Sequence, residues 1–432
     1  MQIVKHKYLF LLIFLCSFDV HAVDTILLNG KIVTVDDRFT IVQALAIKNQ
    51  RVFATGSNAD IRKLADSGTQ MIDLNGRTVI PGLIDSHAHW VRAAEHDELR
   101  FDGVTSRAQA LQSLASRVRT SRPGEWVSVL GGWSEEQFTD DPRGFPLAEL
   151  DNIAPDTPVA LQSVYQHTWL NSAGLRAAKI DDSTPNPPNG TIEKDASGKL
   201  TGLVRGAGGV AFVAAKIPKL HDEARMANTR KLVTYLNSHV EMHGPIQQFI
   251  AAYEEMSKTA PIKGLRWSFS HLDQVDEQQL QRMKRLGMTA QIHSRPLIQG
   301  VLMHKVHGDA AWDMPPFRRV QDSGIVWGLG SDATAVTTSN PFYTLGFAVT
   351  GKMVGGHHVN RQSITREEAL IAHTRNNAFI LFQEANLGSL QKGKYADLLV
   401  LDRDYLTVPA DAIKDLKPVM TMVGGRVVFG GP

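Results

Sequence analysis

Apolar positions recur along this chain with two periods, and the change of period divides it. Near the start, residues 25–35 read as two strands around Asn29-Gly30. Residues 44–47 and 51–54 read as a second pair around Asn49-Gln50. The far end has the same flavour, with apolar or alternating runs at 396–402 and 419–429. Between the ends the period lengthens. Residues 106–119 carry Ala110, Leu111, Leu114 and Val118 at helical spacing and stop at Pro123-Gly124, and strands are expected at 126–130 and 159–163. A long helix is expected over 221–239, with Ala224, Ala227, Leu232, Tyr235 and Leu236 on its inner stripe. Short strands at 240–243, 265–271, 288–293 and 325–332 then alternate with helical stretches at 276–286 and 310–323. A helix over 365–381 opens on a capping box at Thr365 and Glu368. Strand and helix in alternation predict an α/β architecture with a parallel sheet.

The chemistry sits where these strands end. Val79, Ile80, Leu83 and Ile84 form a buried run through Pro81-Gly82 that leads into Asp85-Ser86-His87-Ala88-His89. Side chains two apart on an extended strand project to one side, so His87 and His89 can reach one metal ion. Imidazole pairs suit zinc, and also iron, nickel or copper. The four later strands end in His243, His271, His293 and Asp332. Repeated placement of ligand-type residues at strand ends is what the mouth of a β/α barrel requires.

The run Pro81-Gly82-Leu83-Ile84-Asp85-Ser86-His87-Ala88-His89 resembles the first-strand signature of the amidohydrolase superfamily. Gly131-Gly132-Trp133, Leu170-Asn171-Ser172-Ala173, the Thr184-Pro185-Asn186-Pro187-Pro188 turn with Gly190 and Glu193, and Gly330-Ser331-Asp332-Ala333 resemble its family 3 group. That group includes the N-substituted formamide deformylases. The resemblance implies a TIM-barrel-like metal-dependent hydrolase fold (78–93 and 216–387). A small β-sandwich would be formed by both chain ends (23–77 and 388–432), with a cap insertion at 94–215. It also implies His87, His89, His243 and Asp332 as metal ligands and Asp332 and His271 as catalytic groups. Trp133, His167 and His293 become substrate-pocket candidates. The implied reaction is hydrolysis of an amide-like, non-peptide C–N bond by metal-activated water, with one zinc as cofactor.

One departure from the family pattern stands out. Relatives carry barrel strands 2 to 4 ahead of the strand that here ends in His243, and the fourth supplies a bridging Lys or Glu. This chain has only the 221–239 helix at that point, and Lys216, Lys219 and Lys231 are poor substitutes. An incomplete barrel with an open seam and a single metal is therefore expected. The competing expectation is a catalytically impaired, truncated homologue that acts at most as a binding protein.

Residues 1–22 change the picture of location. Lys5 and Lys7, an apolar run over 8–16 and Val20-His21-Ala22 read as a cleaved export signal, so a periplasmic or secreted protein starting near Val23 is expected. Cleavage would remove Cys16, the one cysteine, leaving no disulfide. The 46 basic and 44 acidic residues are interspersed over 432 positions. Nothing in that balance points to nucleic acid, and it argues equally against a polybasic membrane patch. The expected partner is a small amide-like molecule, with homo-oligomerisation left open.

Overall fold

The structure, a computed structural model, describes residues 23–89, 95–225, 246–333 and 336–431. The expected export signal, the body of the 221–239 helix and the strand ending in His243 lie outside the described residues.

The two ends of the chain build two sheets around one core. One sheet orders Arg51–Gly56, Ala44–Lys48, Thr25–Leu28 and Gln70–Asp73. The other orders Arg426–Gly430, Pro418–Val423, Leu398–Leu401, Thr78–Pro81, Lys31–Val33 and Ile41–Val42. Leu27, Leu45 and Ile72 from the first meet Ile32, Val79, Leu398 and Met420 from the second, all fully or nearly fully buried. Each such side chain contributes roughly 1.5–3 kcal/mol by leaving water. The Asn49-Gln50 turn forms as expected, with both residues at positive φ between paired strands. Asn29-Gly30 does not make a hairpin. Thr25–Leu28 pairs with Ala44–Lys48 and Gln70–Asp73, whereas Lys31–Val33 crosses to the other sheet. The turn sends Leu27 and Ile32 into the same core from opposite sheets. It leaves no room for a side chain at Gly30, where a Cβ would collide with Leu74.

The strand expected over 78–84 is shorter and differently placed. Thr78–Pro81 pairs with Lys31–Val33 and Leu398–Leu401, inside the six-stranded sheet. Beyond Pro81 the chain leaves that sheet, and residues 87–89 run beside the end of Trp327–Gly330 through an isolated parallel bridge from Ala88 to Ala333. The parallel sheet itself, among the described residues, orders Ser268–Ser270, Thr289–His293 and Trp327–Gly330. Its core joins Phe269, Ala290, Ile292, Trp327 and Leu329 to the surrounding helices.

The insertion folds on a five-stranded sheet ordered Thr191–Lys194, Leu200–Arg205, His167–Leu170, Val159–Ser163 and Val127–Leu130. The expected helix forms as Arg107–Thr120 with Ser106 as its N-cap. Two later helices break where the apolar period does not. The stretch 310–323 contains Pro315 and Pro316, which end a 3-10 turn at Gly308–Asp313 and start a helix at Phe317–Ser323. Residues 365–381 form two helices, Arg366–Ala372 with the expected capping box and Arg375–Ile380. The break falls at His373 and Thr374, and it frees the His373 carbonyl to accept the Ile84 N–H at 2.8 Å.

Candidate metal centre

The His87–His89 segment is held on three sides. Asp85 accepts from the His87 N–H at 2.9 Å and the Ser331 N–H at 3.0 Å through one oxygen, and from the Ser331 hydroxyl at 2.5 Å through the other. The Asp332 N–H donates to the His87 carbonyl at 2.7 Å, and the His89 N–H donates to the Ala333 carbonyl. From below, His373 Nδ1 lies 2.8 Å from the Ile84 carbonyl. Asn377 donates to that same oxygen and, at 2.8 Å, to the Leu329 carbonyl. A side chain at Gly330 would press on His87, Ser86 and Asp85 at 2.8–2.9 Å, so glycine is what lets the loop approach.

Strand ends supply the facing groups. His271 follows Ser268–Ser270, His293 ends its strand, and Asp332 lies two residues past Trp327–Gly330. His271 and Asp332 have φ of 73° and 60°, left-handed conformations that cost energy for residues with a Cβ and gather at functional sites. His87 Nε2 and His89 Nε2 lie 3.2 and 2.9 Å from one Asp332 oxygen. The His87 ring is 4.9 Å from His271 and 5.9 Å from His293, and His271 is 4.1 Å from His293. Ligand atoms of His87, His271 and Asp332 all lie within 4.8 Å of one another. Ligands about 2 Å from one zinc stand roughly 3–4 Å apart, so small side-chain adjustments suffice.

Protonation favours a cation here. Burial pushes the Asp332 carboxyl up, but hydrogen bonds to His87 and His89 and the nearby His293 outweigh it and hold it well below the usual carboxylate range. Burial drives the His293 imidazole well below its ordinary value, with Asp332 only partly opposing. Ionised carboxylate and neutral imidazole are the forms that bind metal. His293 is fully buried, and its Nε2 finds no hydrogen-bond partner among the described residues. The donor set and this orphaned nitrogen fit a divalent ion.

Two members of the site escaped the sequence reading. Asp273 joins His271 and His293 in a second group of ligand atoms within 4.8 Å of one another. Arg295 places a guanidinium nitrogen 2.9 Å from His271 Nδ1, with 3.6 Å to Asp332 and 3.8 Å to Asp273. Asp273 could have been flagged by its two-residue spacing from His271, the same spacing as His87 and His89. Arg295 carried no such signal. His293, expected to touch substrate, lies inside the cluster.

The cap candidates fall elsewhere. Trp133 is 0 % exposed, packed among Phe101, Phe138, Phe145 and Trp169, and so belongs to the cap core and not to a pocket wall. His167 neither caps a helix nor joins the cluster. It begins a strand, with Nε2 2.6 Å from Glu135 and its ring edge-on to Trp169. His243 lies outside the described residues.

Comparison with known proteins agrees with this geometry. The amidohydrolase family model matches residues 70–240 and again 220–429. YtcJ of Bacillus subtilis, described as an amidohydrolase, is 34% identical over 179 residues, covering 41% of this chain and 34% of its own. The N-substituted formamide deformylase of Arthrobacter pascens is 31% identical over 185 residues, covering 42% and 34%. The chain thus spans about a third of the length of these relatives. Imidazolonepropionase of Syntrophobacter fumaroxidans is 24% identical over 392 residues and 83% of both chains. Among solved structures, an uncharacterised metal-dependent hydrolase from Pyrococcus horikoshii superimposes with a TM-score of 0.59 at 17% identity, over 89% of this chain and 99% of that one. The likeness shows a shared α/β fold. On the family match over most of its length, this chain belongs to the amidohydrolase family.

Proposed function

We propose that this chain hydrolyses a non-peptide, amide-like C–N bond in a small molecule, using one zinc ion held by His87, His89 and Asp332 and completed by His243. The observation that carries the reading is the convergence of His87, His89 and His271 on the single buried carboxylate of Asp332. A divalent ion in such a site supplies an acidic water at neutral pH and a Lewis acid for the carbonyl. Asp332, ionised and buried, takes the proton from the attacking water and returns it to the leaving amine. Such transfer is worth about 10²–10⁴ in rate. His271 polarises the substrate carbonyl, its ring fixed by Arg295 at Nδ1. Asp85 and Ser331 keep the His87 loop in register against the strand that carries Asp332.

Purified protein should carry about one zinc per chain and release amine from a panel of N-formyl and N-acyl amines. Asp332→Asn should keep part of the metal and lose turnover about 10²–10⁴-fold. Metal-free protein with no turnover on added zinc would favour the second reading, an impaired truncated homologue. That reading draws support from the parallel sheet having three strands among the described residues, and from the family match dividing at 220–240. Export belongs to the same proposal. It rests on residues 1–22, and mass spectrometry of recovered protein should find Val23 at the N-terminus.

A further inference from the structure

Asp332 and Asp273 each offer a ligand atom to the cluster, and one divalent ion on His87, His89 and Asp332 serves only the first. The second group, His271, Asp273 and His293, has its own ligand atoms within 4.8 Å. Two of its atoms are buried with no hydrogen-bond partner among the described residues, Asp273 Oδ1 and His293 Nε2. The other His293 nitrogen, Nδ1, faces the Arg295 N–H at 3.3 Å. The Asp273 oxygen is a buried acceptor without a donor, which costs about 1–3 kcal/mol, and an ion on His293 Nε2 would move the ring proton to Nδ1 in exchange for that 3.3 Å bond. Cations relieve that cost, and a cation already stands beside these atoms. The Arg295 guanidinium lies 2.9 Å from His271 Nδ1, 3.8 Å from Asp273 and 3.6 Å from Asp332. A guanidinium is always charged and cannot step aside by losing a proton.

We infer that His271, Asp273 and His293 form a latent second metal site, and that Arg295 keeps it empty by supplying the positive charge a second ion would bring. The inference rests on the proposed single-metal function and deepens it. Arg295 takes one nitrogen of His271 and places its fixed charge between the two carboxylates. A divalent ion entering there would meet a like charge at close range. Removing that charge leaves Asp273 uncompensated and the group open to a cation with imidazole and carboxylate preferences, such as zinc, cobalt or manganese.

The test counts metal and needs no turnover. Zinc and cobalt(II) titrations followed by calorimetry, with metal content by mass spectrometry, should give about one equivalent for the wild type and two for Arg295→Met. Arg295→Lys, which keeps the charge, should stay at one. Asp273→Asn added to Arg295→Met should return the count to one. If Arg295→Met does not fold, Arg295→Gln, neutral but still able to donate to His271, carries the same test. One equivalent in both wild type and folded neutral variants overturns the inference alone. No metal in the wild type overturns it together with the proposed function.

Discussion

Two constellations of histidine and carboxylate stand at strand ends in this protein, and their chemistry diverges. In the cap, His167 meets Glu135 at 2.6 Å, and the second Glu135 oxygen accepts from Ser163 at 3.0 Å. Both carboxylate oxygens are spoken for, and the arrangement is a finished structural pair. In the centre, four histidines crowd two carboxylates, and His293 Nε2 and Asp273 Oδ1 are buried without partners among the described residues. The same residue types thus brace one region and await a ligand in the other. What separates them is the number of buried polar atoms left without a partner once internal hydrogen bonds are made.

The contrast breaks most visibly at its metal. His87→Ala combined with His89→Ala should abolish bound metal, whereas His167→Ala should leave it unchanged and cost about 1–3 kcal/mol of stability through the abandoned Glu135. Metal analysis and denaturant unfolding of both variants check this, and equal metal loss in the two would dissolve the distinction. A smaller effect is expected one step out from the ligands. Asp85→Ala frees the His87 loop from Ser331 and should weaken metal binding about 10–100-fold while the cap stays intact. Competition with a chelator of known affinity measures it.

The mildest expectation concerns pH. Burial lowers the His373 pKa below its ordinary value of about 6.5, despite the opposing charge of Asp85. The unfolded chain therefore binds a proton that the fold refuses. The stability held above about pH 6.5 is lost as pH falls through that value. Metal-free wild type should show this acid loss in thermal unfolding below about pH 6.5, and His373→Gln should reduce it, leaving the share that buried His293 contributes.

Much of the centre was legible because strand ends advertise themselves. Short apolar runs stopping at His271, His293 and Asp332 leave those residues at the edge of the parallel sheet whatever surrounds it. Asp273 offered only its two-residue spacing from His271, and the left-handed turn at His271 and Leu272 takes the chain out of the extended form that spacing assumes, whereas Arg295, just past the His293 strand, carried no spacing signal at all. Asn29-Gly30 misled for a related reason. Turn chemistry specifies a reversal but not which sheet the next strand joins. Trp133 lay beyond pattern altogether, since only the folded cap brings Phe101, Phe138, Phe145 and Trp169 around it. The break at His373 arises from a tertiary demand, the Ile84 N–H, that the local helical pattern does not contain.

The strand that leads into the His87 loop, Thr78–Pro81, is zipped on one side to Leu398–Leu401 from the far end of the chain. During synthesis the first two candidate ligands emerge long before the strand that steadies their approach. Until then Val79 and Ile80, both fully buried in the finished protein, have one flank uncovered. Positioning of the centre therefore waits on a strand made well after its first histidines, and a metal ion arriving sooner meets histidines that are present but not yet aimed.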